Sequence, residues 1–172
     1  ALVMFLDTGR QFRPALPEET FLWVITKTNA QWVRSDVGTP SLRREVAALR
    51  CGLDYDRTWG QERSHCAQLL KTNYTKIDRG EGKPLPFDLA RAHALYKALF
   101  GEVEDIIKGK HLLIVASGAL NALPFQVLVT EKPAVAFHST DAGYANVAWL
   151  GTRSAFCTAA GVYFCGELAG AG

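Results

Sequence analysis

The sequence predicts an α/β fold in one domain of 172 residues. Apolar residues recur with a helical period over residues 89–107, and residues 111–116 directly after them form an apolar run without polar alternation. A helix followed by a buried strand is half of an α/β unit. Residues 21–27 and 31–37 are aromatic and β-branched, which is typical of strands.

The first half of the chain predicts a strand, a hairpin and a helix. Residues 2–6 form a short apolar segment that is typical of a strand. The two aromatic segments are separated by Thr28-Asn29-Ala30, which predicts a β-hairpin. Thr39 is placed to cap a helix that has Pro40 in its first turn. The apolar face of this helix consists of Leu42, Val46, Leu49 and Leu53.

In the second half, Asp88 is placed to cap the long helix and Gly109 to end it. Because residues 111–116 lack polar alternation, we expect a central strand that is covered on both faces. Ser117-Gly118 predicts a turn after this strand, and residues 148–156 predict a further strand.

Composition and charge argue against two classes of partner. The chain contains 48% hydrophobic and 21% charged residues, and its formal net charge is +2. Since these values are typical of a globular domain, we expect no nucleic acid and no membrane surface as partner. No apolar stretch reaches the length of a transmembrane helix.

The turn after the buried strand predicts no cofactor site. Residues 117–122 contain one glycine, whereas a dinucleotide-binding loop has three and a P-loop ends in Gly-Lys-Ser/Thr. The Gly-x-Ser-x-Gly sequence of the hydrolase nucleophile elbow is also absent. We therefore expect no cofactor.

Cysteine and histidine are the residue types that a Cys–His nucleophile needs. The chain has four of each: Cys51, Cys66, Cys157 and Cys165, and His65, His93, His111 and His138. Because none of them shows zinc-site spacing, we expect no metal. His138 lies in a loop, which suits a functional role better than the helix position of His93 or the amino-terminal strand position of His111. An even number of cysteines could form two disulfides in a secreted protein. Without a secretion signal, however, the cysteines are expected to be free thiols of a cytoplasmic protein.

Residues 85–128 carry a family resemblance. Residues 95–100 read Leu-Tyr-Lys-Ala-Leu-Phe, residues 107–115 read Ile-Lys-Gly-Lys-His-Leu-Leu-Ile-Val, and Leu123-Pro124-Phe125 follows. In order and spacing these segments resemble the opening of a CHAT domain, the caspase-like module associated with tetratricopeptide repeats. Ala116-Ser117 stands where the family has Pro-Asp. The hairpin and the Thr39-Pro40 helix agree with the family's amino-terminal extension.

The resemblance implies a caspase-like α/β fold, in which a mostly parallel sheet has helices on both faces. Residues 1–84 would form an N-terminal extension with a β-hairpin and helices, and residues 85–172 the first part of the core. Proteolytic members of the family use a Cys–His dyad in a His-x-x-His-Gly segment and a later Ser-Ala-Cys segment. Neither segment occurs here, so no catalytic residue is carried over.

Three interpretations of function remain open. The first is a partial CHAT domain that is catalytically inactive, with residues 155–172 altered by a reading-frame change or by divergence. The second is a non-enzymatic module that binds a protein partner or itself, as a homodimer, because an incomplete sheet exposes a hydrogen-bonding edge. The third is a small-molecule-binding α/β domain, which the missing phosphate loop disfavours.

Overall fold

The backbone of the computed structural model forms one β-sheet, and the structure describes residues 1–8, 14 and 16–158. The strands are β1 (Leu2–Asp7), β2 (Thr20–Ile25), β3 (Ala30–Ser35), β4 (Leu112–Val115) and β5 (Phe156–Thr158). They lie in the order β3-β2-β1-β4-β5. The architecture is mixed α/β.

The sheet is mixed, which corrects the expectation of a mostly parallel sheet. Strand β2 pairs antiparallel with β1 and with β3, whereas β4 pairs parallel with β1 and with β5. Residues 26–29 connect β2 to β3, and Thr26 Oγ1 accepts the backbone N–H of Asn29 at 2.9 Å within this turn. Since so short a connection reverses the chain, it produces an antiparallel pair.

Helices and helical turns connect the strands. The α-helices are α1 (Thr39–Arg50), α2 (Arg63–Leu70), α3 (Lys76–Gly80), α4 (Leu89–Phe100), α5 (Glu104–Ile107), α6 (Asp141–Ala145) and α7 (Leu150–Arg153). A π-helical segment, Tyr55–Gln61, lies between α1 and α2. Short 3-10 turns occur at Gly101–Val103, Gly118–Ala122 and Phe125–Val127.

The long helix predicted over residues 89–107 is present in two parts. Asp88 caps α4 as predicted, because its side chain accepts the backbone N–H of Arg91 at 2.9 Å. The 3-10 turn Gly101–Val103 then separates α4 from α5. Glycine is unfavourable inside a helix, and the break begins at Gly101. Gly109, with φ +68°, follows the end of α5.

Helix α1 begins differently from the prediction. Gly38 is its N-cap residue, and Thr39 is the first residue of the helix, with Pro40 in the first turn. The Thr39 side chain does not cap the helix. Its hydroxyl donates to the carboxylate of Asp7 at 2.6 Å, which ties α1 to the end of β1.

The core lies on one face of the sheet. Strand side chains pack there against α1, α4 and the turns around Leu120 and Phe125. The Phe5 ring lies 5.6 Å from the rings of both Phe100 and Phe125. The inward strand residues are Val3, Phe5, Leu22, Val24, Leu112 and Ile114. Both predicted parts of the chain, 1–84 and 85–172, contribute to this core.

The expectation that β4 is covered on both faces is wrong. Leu112 and Ile114 are buried, but Leu113 is 45% and Val115 37% exposed. The run is apolar at every position, so its sequence gives no sign that only alternate residues enter the core.

The region of the strand predicted over residues 148–156 contains α7, and β5 follows it. Cys165 and the other residues of the 155–172 tail beyond 158 lie outside the described residues. Within the described part of the chain, no helix combines the length and apolarity needed to cross a bilayer.

Candidate functional site

The carboxyl ends of β1 and β4 meet at a buried carboxylate, Asp7. In a parallel pair these ends lie at the same edge of the sheet, where α/β proteins bind ligands. Asp7 Oδ1 accepts the hydroxyl of Ser117 at 2.6 Å, and Oδ2 accepts the hydroxyl of Thr39 at 2.6 Å. The Asp7 backbone N–H donates to Ser117 Oγ at 3.1 Å. Both carboxylate oxygens are therefore occupied by hydroxyl donors.

Gly118 fits closely against this carboxylate. Its φ is +51°, and a Cβ at this position would lie 2.5 Å from Asp7 Oδ1. A residue with a side chain would disturb the cluster both sterically and through its backbone conformation. In the described chain, Ser117 bonds to a carboxylate and to backbone, and to no imidazole that could act as its base. The geometry indicates a structural role for this cluster, whose hydrogen bonds connect β1, the turn after β4 and α1.

The histidines make separate contacts. His93 Nδ1 lies 3.0 Å from the carbonyl oxygen of Val129, and the His138 ring packs edge-on against Tyr144 at 5.2 Å. His65 and His111 are exposed. None of these contacts brings a histidine to a cysteine. Among the described residues, no group of three or more His, Cys, Asp or Glu side chains could hold a metal ion.

The expectation of free thiols is wrong for the described cysteines. Cys51, directly after α1, forms a disulfide with Cys66 on α2, and their Cα atoms are 5.6 Å apart. Cys157 is disulfide-bonded as well. The π-helical segment Tyr55–Gln61 turns the chain back between Cys51 and Cys66, a geometry that their spacing does not predict. No described thiol is thus available as a nucleophile.

The face of the sheet opposite the core is apolar, and none of the residues that the structure describes covers it; we call it the open face. It consists of Leu2, Met4 and Leu6 of β1, Phe21, Trp23 and Ile25 of β2, Trp32 of β3, and Leu113 and Val115 of β4. Trp32 is 60% and Leu6 43% exposed. Exposed apolar areas of this extent mark interaction sites in most proteins.

The register divides the open face into an aromatic half and an aliphatic half. On β2 and β3 the Phe21 ring lies 6.2 Å from Trp23 and 6.3 Å from Trp32. On the other side of β1, Leu113 and Val115 are opposite Leu2 and Met4. Arg34 lies at the aromatic margin beside Phe21 and forms an ion pair with Glu19 at 3.3 Å.

Comparisons with protein-family models, with curated proteins and with solved structures find no match for this chain.

Sequence reasoning identified the strands of the open face but not its exposure. Strand β2 reads Thr-Phe-Leu-Trp-Val-Ile, so apolar residues point to both faces. Such a pattern is typical of a strand buried on both sides. The pattern therefore predicts burial on both sides of the strand, whereas the structure leaves the side that belongs to the open face exposed.

Proposed function

We propose that this chain is a non-enzymatic module that associates with a second copy of itself through the open face. The observation that carries the proposal is the exposure of a continuous apolar surface across four strands, from Trp32 to Leu113. Burial of apolar surface is the main driving force of protein association. Its charged side chain, Arg34, lies at the margin and already has Glu19 as partner.

The two halves of the open face complement each other under two-fold symmetry. Strand β1 is the middle strand of the sheet. A two-fold axis parallel to β1 and above it places β2 of one copy over β4 of the other. Trp23 and Val115 both pair with Met4, so Trp23 would then pack on Val115 of the second copy, where a bulky ring meets a smaller aliphatic group. Ile25 and Leu113 both pair with Leu2, so these two residues would also meet across the interface. The two Arg34 side chains would lie at opposite margins, away from each other.

The size of the open face suits such an interface. Strands β1, β2 and β3 have six residues and are about 20 Å long, β4 has four and is about 13 Å long, and the four strands side by side are about 19 Å wide. The flat footprint is thus about 350 Å² before side-chain relief is counted, within the range of apolar patches that mark binding sites. Two sheets packed face to face form an apolar layer about 10 Å thick, as in a β-sandwich.

The resemblance of residues 85–128 supports a compatible proposal, that the chain corresponds to the first part of a caspase-like CHAT module. The order α4, β4, the turn at Gly118 and Leu123-Pro124-Phe125 agrees with that pattern. The resemblance implies helices on both faces of the sheet. In this chain the second copy would take the place of the helices on the open face. The missing His-Gly and Ser-Ala-Cys segments and the disulfide-bonded Cys51, Cys66 and Cys157 favour an inactive module.

Light scattering coupled to gel filtration tests the self-association. At several hundred micromolar we expect a mass near twice the 18.8 kDa of one chain. Ile25→Lys and Leu113→Glu should each yield monomers, because a charge would be buried in the apolar layer. Mixing these two variants should restore a dimer, since the lysine introduced in one variant then faces the glutamate introduced in the other.

The matched control is Ile77→Lys on α3, where a 71% exposed apolar residue lies away from the open face. This variant should keep the mass of the wild type. A monomeric wild type at high concentration would refute the proposal. Circular dichroism of each variant checks that the fold is intact, so that a lost dimer reports the interface.

A further inference from the structure

A cavity of about 670 Å³ lies on another part of the molecule from the open face. It opens between the end of α1, the segment before α4, the turn Phe125–Val127 and the helices α6 and α7. Its volume is within the range of small-molecule sites, which is about 300–1,000 Å³. The walls are mainly apolar, with Leu53, Leu85 and Val127 among them.

Three aromatic residues of the cavity wall are held in fixed positions. The rings of Phe87 and Trp149 meet edge to face with centroids 5.6 Å apart. The Tyr144 hydroxyl donates to the carbonyl of Phe87 at 3.2 Å and accepts the backbone N–H of His138 at 3.2 Å. The Trp149 indole N–H donates to the carbonyl of Tyr144 at 3.0 Å. These bonds connect the aromatic residues to one another and fix the wall before any ligand binds.

The charge of the cavity is negative. Asp141 is the single charged residue among the described residues that line it, and no lysine or arginine is among these. The Asp141 side chain is exposed, and within the described chain it forms neither an ion pair nor a side-chain hydrogen bond. Aromatic faces attract cations through their quadrupole, and a carboxylate adds to that attraction. Apolar walls together with these groups favour a ligand that is both apolar and positively charged.

We propose that this cavity binds a small organic cation of the quaternary-ammonium class that carries an apolar group. Tyr144 and Trp149, which are only partly buried, would contact the ammonium methyl groups, and Asp141 would balance the charge. Phe87 is 5% exposed and would support the Trp149 ring from behind. The apolar part of the ligand would lie against Leu53, Leu85 and Val127. This site is independent of the open face, so its test does not depend on self-association.

Nuclear magnetic resonance with phenyltrimethylammonium as the probe tests the site. The chain has four tryptophans, and their indole N–H signals can be followed separately. The Trp149→Phe variant identifies the signal of Trp149. We expect the probe to shift this signal and to leave that of Trp32, on the open face, in place. tert-Butylbenzene, which has the same shape without the charge, should bind at least threefold more weakly.

A second experiment compares probe binding with and without the negative charge at Asp141. Asp141→Asn should weaken binding of the probe at least threefold and leave binding of tert-butylbenzene unchanged. The matched control is Asp36→Asn, a carboxylate between β3 and α1 and outside the cavity wall, which should bind the probe as the wild type does. Equal affinity for the charged and neutral compounds would overturn the proposal. A signal of Trp149 that does not move with phenyltrimethylammonium would overturn it as well.

Discussion

Removal of the disulfide between Cys51 and Cys66 is the perturbation whose effect the structure specifies best. The bond joins the end of α1 to α2 and is nearly inaccessible, since each cysteine is 1% exposed. The side chains of Trp59, Leu70 and Tyr74 surround it. The Trp59 indole N–H also donates to the carbonyl of Cys51 at 2.7 Å. The double variant Cys51→Ala/Cys66→Ala removes the cross-link and keeps the disulfide at Cys157.

The expected loss of stability follows from the loop that the bond closes. The two cysteines are 15 residues apart in sequence. Cross-linking a loop of about this length restricts the unfolded chain by about 3 kcal/mol. Unfolding entropy of about 2.1 cal/mol/K per residue gives about 0.36 kcal/mol/K for a chain of this size. The variant should therefore melt about 8 °C lower than the wild type.

Urea unfolding measures the loss in the free energy of unfolding, and calorimetry measures the fall in melting temperature; both are carried out without reductant. The reduced wild type compared with the reduced double variant gives a control, because both then lack all cross-links and differ only by two buried sulfur atoms. Alkylation of the urea-unfolded wild type without reductant should leave Cys51 and Cys66 unmodified. A free energy of unfolding within about 0.5 kcal/mol of the oxidised wild type would show that the loop argument is wrong.

Three further predictions concern the Asp7 cluster and the turn after α3. Asp7→Ala should lower the free energy of unfolding by about 3–5 kcal/mol, because it leaves two hydroxyl groups without their charged acceptor; urea unfolding measures it. Gly118→Ala should cost about 1–3 kcal/mol more than Gly109→Ala by the same assay, since both glycines have positive φ but only Gly118 meets Asp7. Hydrogen bonds from Lys83 and then Thr75 lower the pKa of Asp78 to about 2. A carboxylate with a depressed pKa adds folding stability that is fully present above its ordinary pKa. The stability that Asp78 adds should therefore persist at pH 4 and be lost as the pH falls through about 2. A carboxyl carbon titration by nuclear magnetic resonance gives the Asp78 midpoint, and Lys83→Met should move it toward 3.8.

The sequence predicted local structure better than the relations between elements. Asp88 and the helical period after it identify α4, because capping and periodicity are properties of neighbouring residues. The role of Thr39 was not predictable in this way, since its hydroxyl is used by Asp7, 32 residues away along the chain. The Cys51–Cys66 bond similarly depends on a π-helical turn that carries no sequence signal. Whether a face of the sheet is covered depends on elements that are far apart in the sequence, and the prediction that β4 is covered on both faces was wrong.

Two surfaces of the sheet could mediate self-association, and the position of Leu113 separates them. An exposed strand edge pairs through backbone hydrogen bonds, and β3 forms one edge of this sheet. Each such bond contributes only about 0.5–1.5 kcal/mol net, because water already satisfies the free edge. The open face instead removes aromatic and aliphatic side chains from water over several strands. Leu113 lies on β4, between β1 and β5, and belongs to no edge. If Leu113→Glu dissociates the dimer, association occurs through the face; if the dimer persists, an edge of the sheet, at β3 or at β5, accounts for it.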